Sequence, residues 1–230
     1  MRVIGLIGGT SWESSAVYYQ LLNEDFRQRL GGSHSARIVM VCLDGGDLEK
    51  FMRRDQWDEV SSRVADGARS LQAGGADMVL LCSNTNYQCA DAVEAAVTLP
   101  LVHIVDSTAD AVEQVNIRRV GLLGTRYTME RRFLRDRLEA RGLEVIVPGE
   151  PDRTTIHDIQ FNELVSGKLL DSSQRAFIEV IGRLVDQGAE GVILGCTEFG
   201  MLVGAGDTSV PLFDTTVLHA RRAVDLALTD

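Results

Sequence analysis

Residues 191–198 read Gly-Val-Ile-Leu-Gly-Cys-Thr-Glu, a short apolar run that ends in glycine and is followed by three polar side chains. Such a run is typical of a buried parallel strand. Cys196 then follows the strand at its carboxyl end, the edge at which open α/β sheets place their sites. Backbone N–H groups at the start of the next helix can lower the pKa of a thiol and hold an anion. We therefore interpret Cys196 as a reactive thiol, although a buried cysteine can also serve as a small hydrophobic side chain.

A second stretch of the chain repeats this pattern. Residues 75–85 read Gly-Ala-Asp-Met-Val-Leu-Leu-Cys-Ser-Asn-Thr and align with residues 188–198 without a gap. The alignment pairs Ser83 with Cys196. The repeat predicts two related halves, in which Cys196 looks across a cleft at Ser83.

Apolar runs and helical patterns alternate along the chain, with glycine-marked turns between them. This alternation indicates parallel sheets covered by helices on both faces. Strands are predicted at residues 3–7, 37–43, 78–82, 101–105, 120–124, 143–147, 191–195 and 211–214. Helices are predicted at residues 12–29, 58–73, 87–96, 129–141, 156–166, 173–187 and 216–228, and loops at residues 44–47 and 148–152.

The fold class that follows is α/β, with two pseudo-symmetric parallel-sheet domains and the active site in the cleft between them. The first domain is predicted to span residues 1–115 and the second residues 116–215. The closing helix, in residues 216–230, has no counterpart in the first half and is expected to pack back on it.

Composition excludes several classes of partner. The chain of 230 residues carries 23 Lys and Arg against 33 Asp and Glu, a net charge of −10, so nucleic acid and anionic membranes are disfavoured. Neither a signal segment nor a membrane span is recognisable, which makes the cytoplasm the expected location. The four cysteines form no CxxC pair, and with four histidines they show no metal-ligand spacing, so neither a metal nor a disulfide framework is expected.

Short polar side chains accompany the two principal candidates. Asn84, Thr85 and Thr197 stand beside predicted helix starts and suit a small carboxylate, although helix capping alone can also explain them. Thr10-Ser11 and Thr125 end the first strands of the two halves and are expected to line the same cleft. A dinucleotide fingerprint is absent, because Ile7 and Thr10 break the GxGxxG spacing.

Four motifs spread over the chain resemble the aspartate/glutamate racemase superfamily, in particular its broad amino-acid racemase branch. They are Gly-Gly-Thr-Ser-Trp-Glu-Ser at residues 8–14, Ser-Asn-Thr at residues 83–85, Leu-Leu-Gly-Thr-Arg-Tyr-Thr-Met-Glu at residues 122–130, and Gly-Cys-Thr-Glu at residues 195–198. The resemblance implies a cofactor-independent amino-acid racemase or epimerase with a small amino-acid or carboxylate substrate. It also implies a homodimer, and one catalytic thiol from each domain on opposite sides of the substrate Cα.

Carried over to this sequence, the resemblance makes Cys196 a catalytic acid or base. The usual first motif of the family is Cys-Asn-Thr, so Ser83 replaces the second thiol. Met52 aligns with the position near the substrate carboxylate in the loop after the second strand. The substrate-binding residues expected in this way are Thr10, Ser11, Met52, Asn84, Thr85, Thr125, Thr197 and Glu198.

Replacement of one thiol leaves two alternatives to a racemase. A decarboxylase that forms a carbanion needs a proton donor on one face of its substrate only, and Cys196 alone could supply it. A protein that binds a small carboxylate without catalysis would need neither thiol.

Overall fold

The computed structural model describes residues 1–229, which form two compact α/β units. The first unit comprises Met1–Ile104 together with the chain from His219 onward, and the second comprises Val105–Leu218. No helix among the described residues has both the length and the hydropathy needed to cross a membrane.

The first unit is built on a parallel sheet of three strands in the order β2-β1-β3. Ile4 of β1 pairs with Ile38 of β2 on one side and with Met78 of β3 on the other. Its elements are β1 (Ile4–Gly8), α1 (Trp12–Leu30), β2 (Ile38–Cys42), α2 (Gly45–Arg53), α3 (Trp57–Ala73), β3 (Met78–Leu81), a 3₁₀ helix (Asn84–Cys89) and α4 (Ala90–Ala96).

The closing helix of the chain contributes to the core of this first unit. Small apolar side chains at helical spacing, from Ala220 to Ala227, pack with Tyr18, Leu22 and Phe26 of α1. Because alanine side chains are small, the closing helix can pack close to α1 and the sheet.

The second unit is built on a parallel sheet of four strands in the order β5-β4-β6-β7. Its core includes Leu123, Val192 and Leu194 from the strands, with Phe177 and Phe199 in edge-to-face contact at 4.8 Å between ring centroids. The remaining elements of the chain are α5 (Ile104–Gln114), β4 (Arg119–Gly124), α6 (Arg126–Glu130), α7 (Arg132–Ala140), β5 (Glu144–Ile146), α8 (Glu150–Asn162), a 3₁₀ helix (Leu164–Ser166), α9 (Asp171–Asp186), β6 (Gly191–Gly195), α10 (Phe199–Leu202), β7 (Leu212–Asp214) and the closing helix α11 (Thr215–Leu228). From His219 onward, α11 belongs to the first unit.

The two sheets have the same topology. In each, the first strand of the unit lies between the second and third strands, and a further extended segment pairs with the outer edge of the third strand. The backbone N–H of Val79 donates to Pro100 O at 2.9 Å, and that of Val192 donates to Pro211 O at 2.9 Å. The predicted pair of parallel-sheet α/β domains is therefore confirmed, and the sequence repeat corresponds to a repeated sheet.

Two local predictions are wrong. The strand expected at residues 101–105 is reduced to a single bridge between Leu101 and Val79, because α5 already begins at Ile104. The loop expected at residues 44–47 is the start of α2. Asp44 caps this helix, since its carboxylate accepts a hydrogen bond from Asp47 N at 2.9 Å.

Other boundaries shift for identifiable reasons. Most of the loop expected at residues 148–152 belongs to α8, which begins at Glu150 and holds Pro151 in its first turn, where a missing N–H costs nothing. The single helix expected at residues 129–141 is two helices, because the backbone of Arg131 is extended. The helix expected at residues 87–96 is a 3₁₀ helix followed by α4.

Candidate active site

Cys196 lies one residue beyond β6, at the carboxyl edge of the second sheet. Gly195 pairs with Gly124 of β4, so Cys196 and Thr125 leave adjacent strands side by side. A side chain at Gly195 would not fit, because its Cβ would lie 2.7 Å from Leu123 O. The glycine thus permits the close approach of the two strand ends that carry the thiol and the hydroxyl.

Glu198 gathers three hydrogen bonds on one carboxylate oxygen. Cys196 Sγ and Thr197 Oγ1 each donate to Glu198 Oε2 at 3.0 Å, and Gln160 Nε2 donates to the same atom at 3.2 Å. Glu198 and Gln160 are buried, whereas Cys196 is partly exposed. The Cys196 thiol is therefore paired with a buried carboxylate.

Burial raises the pKa of the Cys196 thiol well above its usual value, and both the negative charge of Glu198 and the hydrogen bond to it raise it further. The backbone N–H groups of Glu198 and Thr197 lower this pKa, as expected from the sequence, but their effect is the smaller one. The net shift of the thiol pKa is upward, because burial and the neighbouring carboxylate outweigh the backbone N–H groups. At neutral pH Cys196 rests as a protonated thiol.

Thr125 caps the short helix α6. Its Oγ1 accepts a hydrogen bond from Thr128 N at 3.4 Å, and the two hydroxyl oxygens lie 3.2 Å apart. Thr128 in turn packs against Gly124, where a Cβ would lie 2.5 Å from Thr128 Cγ2. Thr125 is thus held at the strand end by local contacts, at the same sheet edge as Cys196.

Ser83 occupies the corresponding position in the first unit, directly before the 3₁₀ helix that starts at Asn84. Its backbone is extended, and its side chain makes no capping hydrogen bond, so the simple capping explanation does not account for this serine. Asn84 and Thr85 are buried in the first turn of the helix. In both units, the candidate group follows the strand that pairs with the first strand of the unit.

Thr10 and Ser11 follow β1 in the first unit. Thr10 Oγ1 accepts a hydrogen bond from Asn86 Nδ2 at 2.7 Å, which ties this strand end to the 3₁₀ helix after Ser83. Ser11 caps α1, since its Oγ accepts from Ser14 N at 3.1 Å and donates to Glu13 Oε2 at 2.9 Å. Thr10 is therefore coupled to the Ser83 segment, whereas the hydroxyl of Ser11 serves the helix start.

Met52 lies in α2 with its side chain buried, while Arg53 and Arg54 beside it are exposed. Two residues at these sites are not predicted from the sequence. Gln160 lies on α8, far along the chain from any strand end, and Asn86 lies one residue beyond the Ser-Asn-Thr motif. Neither belongs to a recognisable spacing pattern, so only the three-dimensional contacts identify them.

No group of three or more His, Cys, Asp or Glu side chains that could hold a metal ion occurs between residues 1 and 229. The four cysteines are all free. Burial raises the pKa values of Cys82 and Cys89, and Cys82 forms part of the first core. Cys196 is thus the thiol that joins a strand end, partial exposure and a carboxylate partner.

Comparison with known proteins identifies the family of the chain. The chain matches the sequence profile of the Asp/Glu/Hydantoin racemase family over residues 7–223. The protein belongs to this family and is by class an isomerase.

Three similar proteins match over nearly the full length of the chain. The broad specificity amino-acid racemase RacX of Bacillus subtilis (strain 168) is 24% identical over 230 residues, which cover 98% of each chain. A crystal structure of a Yersinia pestis protein provisionally assigned as an Asp/Glu racemase is 44% identical, with a TM-score of 0.94 and 100% of both chains covered. An aspartate racemase homologue from Pyrococcus horikoshii OT3 is 31% identical, with a TM-score of 0.89 and 100% of both chains covered.

Proposed function

We propose that the protein is an amino-acid racemase or epimerase that moves a proton at Cα without pyridoxal phosphate, with Cys196 as acid and base. The observation that carries this proposal is the hydrogen bond from Cys196 Sγ to Glu198 Oε2 at the carboxyl edge of the second sheet. A thiol is suited to the reaction because its ordinary pKa, about 8.5, allows it to give or take a proton.

As an acid, Cys196 acts directly from its resting state. The ionised hydroxyl of Ser83, the group proposed below for the opposite face, takes the Cα proton, and the electron pair of the C–H bond stays on Cα, delocalised into the substrate carboxylate. The Cys196 thiol then donates its proton to Cα from the other face, and the electron pair becomes the new C–H bond. The raised pKa of this thiol supports the donor role, because the group is fully protonated when substrate binds.

As a base, Cys196 must first lose its proton. Glu198 Oε2 accepts the thiol hydrogen bond and is the acceptor that we propose for this proton. The resulting thiolate keeps the hydrogen bonds from the backbone N–H groups of Thr197 and Glu198, which favour the charged form. The thiolate then removes the Cα proton and becomes a thiol again.

We propose Ser83 as the group that acts on the same carbon from the other face. Its support is the sequence repeat, which aligns Ser83 with Cys196: Ser83 lies two residues beyond β3, and Cys196 lies one residue beyond β6. A hydroxyl that must ionise lies roughly 5 pKa units above a thiol, which corresponds to about 7 kcal/mol. Racemisation should therefore be asymmetric, with efficient proton removal on the Cys196 face only.

The substrate carboxylate requires hydrogen-bond donors, because a carbanion forms beside it. We propose that Thr10, Ser11, Asn84, Thr85, Thr125, Thr197 and Glu198 supply the polar surroundings of the substrate. Thr10 and Thr125 are supported by their places at the ends of the first strands of the two units. Met52 is buried within α2, so in this proposal it shapes the apolar wall behind the polar groups.

The setting of the enzyme is also a proposal. A working Cys196 thiol needs reducing conditions, which favours the cytoplasm. Homodimer formation is supported by an exposed face of α1, where Trp12 is 71% exposed and Tyr19 lies two turns further on the same side.

A one-thiol decarboxylase is the second candidate. In that reaction the bond between Cα and a carboxylate breaks, carbon dioxide leaves, and Cys196 donates its proton to the carbanion. The resting protonated thiol favours this candidate, because no second ionising group is required.

The test is to incubate the protein with a panel of single enantiomers of amino acids and with a substituted malonate. Chiral chromatography and carbon dioxide release are measured in parallel. We expect the opposite enantiomer to appear for at least one amino acid, to vanish with Cys196→Ser, and to persist with Cys42→Ser, which removes an exposed thiol. Carbon dioxide without enantiomer conversion would favour the decarboxylase, and neither product from a folded protein would leave only a carboxylate-binding role.

A further inference from the structure

Gln160 presents an unsatisfied polar atom next to the thiol and carboxylate pair. This side chain is 4% exposed, and its Nε2 donates to Glu198 Oε2 at 3.2 Å. Its other polar atom, Oε1, is buried and has no hydrogen-bond partner. A buried acceptor without a donor is destabilising and is uncommon in folded proteins.

The charge of Glu198 explains the orientation of this amide. An ionised carboxylate only accepts hydrogen bonds, so it selects the N–H side of the amide and repels the oxygen. Because Oε1 has no partner of its own, no group on the far side of the amide fixes its orientation. The protonation state of Glu198 is thus the feature that decides which end of the amide faces it.

We propose that Gln160 is a positioning residue whose amide serves both protonation states of Glu198, as a donor to the carboxylate and, after a half-turn, as an acceptor from the carboxylic acid. This inference rests on the proposed function, in which Glu198 takes the proton of Cys196. In that step the S–H bond breaks and an O–H bond forms on Glu198 Oε2, with no change of oxidation state. The O–H then donates to Gln160 Oε1.

The half-turn matters because it directs the proton away from the thiolate. If the O–H of Glu198 pointed back at Cys196 Sγ, the proton would be shared with the sulfur and the base would be weakened. When the O–H points at Gln160 instead, the thiolate keeps only its backbone N–H donors. Gln160 Oε1, which has no partner while Glu198 is ionised, then accepts the hydrogen bond from protonated Glu198.

Other ionisable groups stand on the elements around this pair. Several of them are already engaged, Arg126 with Glu130 at 3.7 Å, Arg183 with Asp152 at 2.8 Å, and Asp214 with the N–H groups of Thr216 and Val217. His157 stands one turn before Gln160 on α8, and its Nδ1 accepts from Arg126 N at 3.3 Å. The remaining ionisable residues on the flanking helices α6 and α9 are Tyr127, Asp171, Arg175, Glu179 and Asp186.

The direct test follows the Gln160 side-chain amide by NMR in the ¹⁵N-labelled full chain while pH is varied, together with the ¹³C signal of the Glu198 carboxyl group. The Gln160 signal is assigned by its loss in Gln160→Met. We expect the amide signal to move with one inflection, at the pH at which the Glu198 carboxyl titrates, and to stop moving in Glu198→Gln. An amide signal that ignores the titration of Glu198 overturns the proposal, and so does a Glu198 that never protonates while the protein stays folded.

A kinetic test separates positioning from a general structural effect. The matched control is Gln174→Met, since Gln174 also donates to a carboxylate in this unit, Asp207 Oδ2 at 3.5 Å. With Gln160→Met we expect kcat for racemisation to fall roughly tenfold or more, as for loss of a hydrogen bond to a charged group, with KM unchanged. With Gln174→Met we expect both constants to stay the same.

An unchanged kcat in Gln160→Met, or an equal loss in the control, overturns the proposal. The NMR titration needs no turnover, so it distinguishes failure of the amide switch from failure of the proposed function. A protein that racemises nothing but shows the coupled titration would refute the function alone.

Discussion

Glu198 raises the proton affinity of Cys196 further than burial alone, and the sign of this effect can be tested. The carboxylate raises the pKa of the thiol through its charge and through its hydrogen bond. Glu198→Gln removes the charge and keeps the size of the side chain, so the pKa of Cys196 should fall. Burial, the largest cause of the raised pKa, remains in the variant, so the fall should be partial.

The measurement is the rate of Cys196 alkylation by iodoacetamide as a function of pH, read by peptide mass spectrometry. We expect the Glu198→Gln profile to move to lower pH, because only the thiolate reacts. Glu190→Gln is the control, since Glu190 is an exposed carboxylate at the other end of β6. A profile that stays in place or moves to higher pH would contradict the assigned role of Glu198.

Gly9 and Gly75 both have a positive φ, which strains any other residue, but only Gly9 is also closely approached by another strand end. Substituting each of them therefore distinguishes the cost of backbone strain from the cost of a steric clash. Gly9 has φ +94° and Gly75 has φ +82°, but only at Gly9 would a Cβ meet other atoms, 1.9 Å from Leu43 O. Gly75→Ala should lose about 1–2 kcal/mol of unfolding free energy from the backbone conformation alone. Gly9→Ala should lose more, ~3 kcal/mol or above, because the ends of β1 and β2 must separate.

Urea unfolding of both variants decides this prediction. Comparable losses would mean that the contact between Gly9 and Leu43 is not needed. The comparison bears on the proposed substrate-binding role of Thr10, because Thr10 follows Gly9 directly and is held by Asn86.

A buried histidine joins the closing helix to the segment after Ser83. His219 Nδ1 lies 2.8 Å from Tyr18 Oη, and its Nε2 lies 2.7 Å from Val102 O and 3.2 Å from Tyr87 Oη. Burial lowers the pKa of His219 to about 4, against the opposing effect of the hydrogen bond to Val102 O. The unfolded chain therefore binds a proton near pH 6.5, where the folded protein does not.

This difference makes stability fall with acid. The contribution of neutral His219 to the free energy of unfolding is complete above about pH 6.5. It is lost as the pH falls toward about 4, a decrease of about 3 kcal/mol. His219→Gln should flatten this part of the pH dependence of the unfolding free energy, whereas His34→Gln, at an exposed position, should leave it as in the natural protein. Equal slopes in all three proteins would show that His219 is not the group responsible.

The limits of sequence reasoning are visible at the level of elements. Continuous apolar runs identified β1, β4 and β6, because strands buried on both faces need no polar residues. The repeat located Ser83 and Cys196 at equivalent strand ends. The segment 101–105 was misassigned because a strand and the start of a helix are both apolar there. The N-cap role of Asp44 was hidden, since Asp-Gly-Gly also reads as a loop.

The chemistry of the site was predictable only in part. Cys196 could be selected from its motif, whereas the net direction of its pKa depends on burial and on the side chain of Glu198. Gln160 is brought to the site by the packing of α8, and no local pattern records that contact. The sequence therefore indicates which reactive side chains follow the strands. It does not indicate their hydrogen-bond partners on helices that are distant in the chain, such as Gln160 on α8.

At the scale of the whole molecule, two units of one sheet plan carry different groups at the same position, a thiol in one and a hydroxyl in the other. We propose that, because of this difference, proton transfer at Cα depends on Cys196 and proceeds at unequal rates on the two faces of the substrate. A Ser83→Cys substitution supplies the missing thiol with a small change in side-chain volume. It should raise the slower of the two proton transfers.

The most direct measurement is Cα–H loss in deuterated water, followed by ¹H NMR for the L and D enantiomers of an accepted amino acid separately. We expect faster exchange for one enantiomer in the natural protein, loss of that exchange with Cys196→Ser, and faster exchange of the other enantiomer with Ser83→Cys. Equal exchange of both enantiomers, or exchange that survives Cys196→Ser in a folded protein, would contradict this proposal.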